Sequence, residues 1–351
     1  MFPYFCLLIV TSFCAITEPF YKKQKSIKCI LLSCFIVLVL FSGLRYDVGM
    51  DYLSYKTWFL SGRGFSEQGF ILLTRIFRSL GPTIGFNFFV FIIAAVTLYG
   101  AYRFIYKYSS APLLSLFIFF CFGQYFISTL NLIRQELVIY VFLGCLLPLI
   151  IERHFIKYTL CIATCSYFFH YTALILIGIY FLDRHFSAII KLSGIALITI
   201  SSPIIIYLIE NSDYAVYLKL DIFVAKVTVL QYYLLALSVI IALLYFKCFQ
   251  GKPMTKKDIL FENINYINIL FGIMIIMFSN TPIIQVISRL SYYTMPIYII
   301  LIPNFISRLS LRSNRLIFRY AFILLYTLIF LVAITTNGKL QHYVPYHSII
   351  F

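Results

Sequence analysis

Charge is scarce in this chain of 351 residues: Asp, Glu, Lys and Arg make up 11% of it, and only 12 residues are acidic against 28 basic. No stretch carries enough polar sequence for a separate soluble domain. The two longest polar stretches, 45–68 and 209–227, lack the periodic apolar content of an independent core. The nine cysteines are scattered, with no CxxC pair and no Cys/His cluster, which argues against a disulfide framework or a zinc site. Cys161 and Cys165, four apart on one helical face, read as packing residues. No glycine-rich phosphate loop, DxD loop or H-E-x-x-H site appears, nor any internal repeat or low-complexity tract. The net charge of +16 falls in short clusters between apolar runs, unlike a nucleic-acid footprint.

What is present is apolar length. Hydrophobic residues fill 62% of the positions, and runs such as 27–44 and 315–334 are nearly free of charge. Runs of about 20 apolar residues match a bilayer's hydrocarbon core. The expected fold is all-α: a polytopic integral membrane protein, organised as one transmembrane domain over 1–351. The first run starts at Phe2 with no positive region before it, so it reads as a retained spanning helix. Candidate spans are 2–17, 27–44, 83–102, 111–128, 131–150, 188–208, 229–247, 264–280, 291–307 and 317–336, with a further apolar stretch at 157–181.

Cationic clusters should face the cytoplasm. They are Lys22, Lys23, Lys25 and Lys28; Arg103 and Lys107; Arg153 and Lys157; Lys247, Lys252, Lys256 and Lys257; and Arg308, Arg312, Arg315 and Arg319. Counting crossings between clusters works everywhere except between Lys157 and Lys247, where three runs leave the parity odd. A reversal inside 157–181, broken near Phe169, His170 and Tyr171, restores it. The expectation is about 12 membrane segments with both termini outside. The loops 45–82 and 209–227, Asn131, His170, the turn before Arg289 and the tail 337–351 then gather on the outer side.

The outer loop opens R-Y-D-V-G-M-D-Y-x-x-Y, from Arg45 through Asp47, Gly49, Asp51 and Tyr52 to Tyr55. Later come N-L-I-R-Q, with Asn131, Arg134 and Gln135, and F-H-Y-T-A around His170. Arg289 precedes Tyr292 and Tyr293, and the tail carries Tyr343 to Tyr346. In this order and with these intervening apolar runs, the chain resembles the EpsG-type family of Wzy-like bacterial polysaccharide polymerases.

That resemblance implies a GT-C-like glycosyltransferase in the bacterial inner membrane. Its substrates would be undecaprenyl-diphosphate-linked oligosaccharides, polymerised at the outer face into O-antigen, capsule or exopolysaccharide. A flippase and a chain-length regulator are the expected partners, with membrane lipid around it and no nucleic acid. A lipid-linked oligosaccharide transporter or a glycan ligase is the alternative. A transporter would show paired halves and mid-membrane charges.

The residues themselves support such chemistry without a metal or other cofactor. Arginine can grip phosphoryl oxygens bidentately and stays charged, so Arg45, Arg134 and Arg289 are the candidate diphosphate ligands. Transfer also needs a base for the acceptor hydroxyl, for which Asp51, Asp47 and His170 are candidates. Asp47 equally suits orienting Arg45. Arg134 can line the cavity or simply pair with Glu136 or a neighbouring loop. His170 can be a base or a structural histidine bonded to a backbone carbonyl. Tyr52, Tyr55, Asn131, Gln135, Tyr292 and Tyr293 are the candidate sugar contacts. Arg75 and Arg78 lie on an amphipathic stretch at 68–80, suited to anionic headgroups or a diphosphate.

Overall fold

The computed structural model describes residues 1–21, 23–211, 228–249, 254–279, 281 and 283–350. It is all-helical; among the described residues the sole β-pairing is an isolated bridge between Arg45 and Ser348. Among the described residues eight helical runs are long and apolar enough to cross a membrane: Phe2–Phe20, Gln24–Gly43, Pro82–Tyr108, Ile133–Ile151, Val229–Lys247, Lys256–Met277, Ile283–Arg308 and Arg312–Thr336. This is the architecture of an integral membrane protein. The acidic stretch of 209–227, with Asp213 and Asp221, lies almost wholly outside the described residues, as do Lys22 and Lys252.

The chain forms two compact units, Met1–Ile177 with Ile299–Phe351, and Gly178–Tyr298. In the first, α1 (Phe2–Thr17), α2 (Gln24–Gly43), α3 (Tyr52–Ser61), α4 (Gln68–Arg78), α5 (Pro82–Tyr108), α6 (Pro112–Cys121), α7 (Ile133–Val141), α8 (Leu147–Ile151) and α9 (Phe155–Phe168) follow in order. Proline opens α5 and α6, where its missing N–H costs no helical bond. A π-helical turn, Phe142–Leu146, joins α7 to α8. The backbones of α5 and this run touch: a Cβ on Gly100 would meet the Tyr140 carbonyl at 2.3 Å, and one on Gly144 the Gly100 carbonyl at 2.3 Å. Small residues permit such close approach between membrane helices.

The expected span 111–128 is shorter than its apolar run suggests. Helix α6 stops at Cys121, and the chain turns through 122–126 into a 3-10 turn, Ile127–Leu130. Hydropathy is blind to that turn, because Phe122, Tyr125 and Phe126 are as apolar as a helix interior.

Unit 1 has two ends, joined by α1, α2, α5 and the helix Arg312–Thr336. At 27 residues, α5 alone extends about 40 Å. At one end Glu18 accepts from the N–H groups of Leu113 (2.9 Å) and Leu114 (3.1 Å), capping α6, and also pairs with Arg319. Asn304 ties the same end by accepting from Ser110 N–H at 2.7 Å and donating to the Tyr108 carbonyl at 3.0 Å. The other end carries Arg45, Asp51, Asn131 and the tail 342–350.

Unit 2 contains α10 (Ala188–Glu210), α11 (Val229–Phe249), α12 (Lys256–Met277) and α13 (Ile283–Ser291). Helix α12 begins earlier than its apolar run, on a capping box between Thr255 and Asp258. Its asparagines hold the unit together. Asn263 donates to the carbonyls of Leu182 and Arg184 at 2.8 and 2.7 Å, Asn265 to that of Ser238 at 2.9 Å, and Asn268 accepts from Thr294 at 2.6 Å.

Candidate active site

The loop after α2 is built as a fitted plug. Asp47 takes φ +50°, a left-handed conformation that Asp tolerates better than most residues, and Gly49 takes φ +101°. A Cβ on Gly49 would stand 2.5 Å from the Leu130 carbonyl oxygen, so the loop can lie against the turn before α7 only with glycine there. The tail is stitched to the same loop: Tyr46 N–H donates to the His347 carbonyl, Ile349 N–H to that of Leu44, and Gly49 N–H to that of His342, all at 2.9 Å.

Arg45 is the pin of this assembly. It is 3% exposed. One Nη donates to the Ser42 carbonyl (2.5 Å) and the other to the Leu130 carbonyl (3.3 Å), while the Tyr52 ring lies 5.9 Å away. Burial draws its pKa downward, and nearby tyrosines oppose that. In this conformation the guanidinium holds backbone, and it has no exposed face with which to grip a phosphate.

Asp51 and Asn131 meet directly: the Asp51 N–H donates to Asn131 Oδ1 at 2.8 Å. Asp51 occupies the N-cap of α3 but does not cap it with its side chain. Tyr52 and Tyr55 face inward among Phe59, Phe65, Phe70 and Phe86, and burial pushes both phenols up to about 12. Gln135 is also buried.

Arg134 pairs with a neighbouring loop rather than with Glu136. Its Nη1 donates to both oxygens of Glu67, at 2.9 and 2.7 Å. The same guanidinium lies over the indole of Trp58, 5.5 Å from the ring centre, and beside the Tyr55 hydroxyl. His170 joins from the end of α9, with Nδ1 3.5 Å from Glu67 Oε1, close enough for attraction but outside good hydrogen-bond geometry. The chain changes helix type here: α9 ends at Phe168 and a 3-10 run, Tyr171–Asp183, follows, leaving His170 in the bend between them. Tyr171 fastens that bend by donating to the Ser66 carbonyl at 3.0 Å.

Glu67 is therefore the centre of the cluster, and sequence reasoning missed it. Burial alone would raise its carboxyl, but His170 and Arg134 hold it down at about 2. The carboxylate is sealed at 3% side-chain exposure, whereas Arg134 keeps 23% and His170 22%. The cation and the imidazole, not the acid, can meet a ligand. The one available signal for Glu67 was its place before an amphipathic helix, where an acid reads as a helix cap. Glu136, considered above only as a partner for Arg134, makes no such pair. It is 1% exposed with neither oxygen hydrogen-bonded, and the neighbouring Ser128 hydroxyl donates to the Tyr125 carbonyl instead.

Arg45, Asp47, Asp51, Tyr52, Tyr55, Asn131, Arg134, Gln135 and His170 all belong to unit 1, and the contacts above tie most of them into one end of it. Arg289, Tyr292 and Tyr293 belong to unit 2. There Arg289 is exposed on the last turn of α13, while Tyr293 is buried.

Fold and site define an integral membrane protein of helices with a cationic, aromatic cluster at one end of its larger unit. A model of the EpsG family matches residues 4–348, and the chain belongs to that family. Membership points to a glycosyltransferase-like polymerase of exopolysaccharide-related function. No curated protein and no solved structure matches the chain.

Proposed function

We propose that the protein polymerises undecaprenyl-diphosphate-linked oligosaccharide repeat units at the outer face of the bacterial inner membrane. The observation that carries this reading is the family match over residues 4–348. The cluster around Glu67 adds a physical rationale. On this reading the fold is GT-C-like with about 12 membrane segments, and the end bearing Asp51, Arg134 and His170 faces outward.

In the proposed step an acceptor sugar hydroxyl attacks the anomeric carbon of the donor. The bond from that carbon to the diphosphate oxygen breaks, the lipid diphosphate leaves with the electron pair, and the hydroxyl proton passes to a protein base. Arg134, charged and part-exposed, is the best-placed unit 1 cation for the departing diphosphate. Glu67, ionised and sealed, holds Arg134 and His170 in position. His170 and Asp51 remain the candidate bases, with Asp47 a third; Asn131 positions Asp51 through its backbone. Trp58 is an aromatic surface beside the cation, suited to a sugar face. Arg45 sets the loop that presents Asp51. Arg289 is a diphosphate ligand on sequence grounds alone.

The test is reconstitution. Purified protein in liposomes, given lipid-linked repeat units and nothing else, should produce a ladder of longer chains. Transport of the units without elongation would favour a flippase, and transfer of a finished chain to a different acceptor would favour a ligase.

A further inference from the structure

The end of unit 1 far from Asp51 contains a cleft of about 300 Å³ that the transfer reading does not use. Arg312, Arg315 and Arg319 line it, together with Ser307 and an apolar wall that includes Pro19 and Leu316; among the described residues no acidic side chain lines it. The arginines occupy the first turns of the helix Arg312–Thr336, whose N-cap position is Leu311 and which has no side-chain cap. A helix N-terminus is already positive, so cations gathered there are unfavourable unless an anion joins them.

The surrounding bonds leave donors to spare. Glu18 compensates Arg319 from the buried side, yet the Nε of Arg319, a residue only 6% exposed, has no hydrogen-bond partner. Arg315 commits one nitrogen to the Leu309 carbonyl at 3.2 Å. Arg312 is exposed at the rim. A free phosphate would satisfy the charges but not the apolar wall. A lipid headgroup satisfies both, since its phosphodiester meets the arginines and its glycerol and upper acyl carbons meet Pro19 and Leu316.

We propose that this cleft binds the phosphodiester headgroup of an anionic membrane lipid, with Arg312 and Arg315 as its phosphate ligands and the uncapped helix end completing the site. The lipid would fix the Arg319 end of the long helix against α6, and so brace the bundle.

The test uses the full-length protein, delipidated in detergent. Thermal unfolding and native mass spectrometry are followed while phosphatidylglycerol, phosphatidylcholine or inorganic phosphate is added. Phosphatidylglycerol should raise Tm and remain bound, and the other two should do neither at the same concentration. The double variant Arg312→Ala/Arg315→Ala should bind phosphatidylglycerol roughly thirtyfold more weakly, about fivefold per basic side chain. If that variant does not fold, Arg312→Lys/Arg315→Lys decides: its lipid-free Tm should match the wild type while its phosphatidylglycerol affinity falls. Equal stabilisation of wild type and variants by phosphatidylglycerol overturns the site. Equal stabilisation by phosphate assigns it to a free anion, and equal stabilisation by phosphatidylcholine removes the headgroup selectivity; either result overturns the proposal.

Discussion

Two acid–arginine pairs sit at opposite ends of unit 1, and they differ in access rather than in chemistry. The side chains of Glu18 and Arg319 are 5% and 8% exposed, and the carboxylate also caps α6 through two backbone N–H groups. Glu67 is as deeply sealed, but its partners Arg134 and His170 each keep more than a fifth of their side chain exposed. The first pair locks three chain segments together, and the Nε donor that Arg319 leaves over is buried beside the cleft it lines. The second uses its acid to hold a cation and an imidazole where a ligand can reach them. Burial of charge is costly in both places. At the second, both partners of the acid keep more than a fifth of their side chain exposed; at the first, the arginine keeps less than a tenth.

The largest expected effect lies at the sealed pair. Glu18→Ala or Arg319→Ala leaves one buried charge without its partner, which costs about 3–5 kcal/mol. The measurement is folded protein recovered by size-exclusion chromatography. Recovery near wild type for both variants would remove the distinction between the ends.

Next comes Arg134→Ala. It should lower polymer formation by about 10²–10³, the size seen when a charge-stabilising donor is removed, with a smaller loss of folded protein because the side chain is part-exposed. Lys at 134 should not restore activity, since an ammonium cannot stack as a plane on Trp58. Full activity of Arg134→Lys would reduce the role to charge alone.

Gly49→Ala should cost about 1–3 kcal/mol, from positive φ and from the clash with the Leu130 carbonyl. Thermal unfolding of the purified variant reads this out. A neutral result would mean that the loop relaxes without cost.

How much of this was legible beforehand follows from what each feature depends on. The long apolar runs disclosed the helices, since a membrane leaves few other options. The break expected near Phe169, His170 and Tyr171 falls where α9 gives way to the 3-10 run. Nothing local disclosed the two ion pairs: Glu67 lies 67 residues before Arg134, and Glu18 lies 301 before Arg319. Those partnerships exist only once the helices are packed. The burial of Arg45 was hidden for the same reason, because the Leu130 carbonyl that it holds arrives 85 residues later. An arginine at the end of an apolar run looks the same whether it faces phosphate or backbone.

A smaller effect is expected with pH. The Glu67 carboxyl falls from an ordinary 4.5 to about 2 in the folded state, so its contribution to stability is complete above pH 4.5 and lost as pH falls toward 2. Unfolding midpoints across that window should fall more steeply for the wild type than for Glu67→Gln. Parallel curves would show that the pairing does not stabilise the fold. Least of all should change in Glu136→Gln, which removes no hydrogen bond or ion pair and should alter stability by no more than about 1 kcal/mol.

The most direct test of the contrast between the two ends is chain elongation in proteoliposomes at matched amounts of folded protein. Arg134→Ala and His170→Gln are compared with Glu18→Gln/Arg319→Met, in which the sealed pair is replaced together so that neither charge is stranded. The account predicts that the first two variants bind lipid-linked units yet fail to extend them, while the double variant, once folded, makes chains of normal length. Normal chains from Arg134→Ala and His170→Gln, or their loss in the folded double variant, would contradict it.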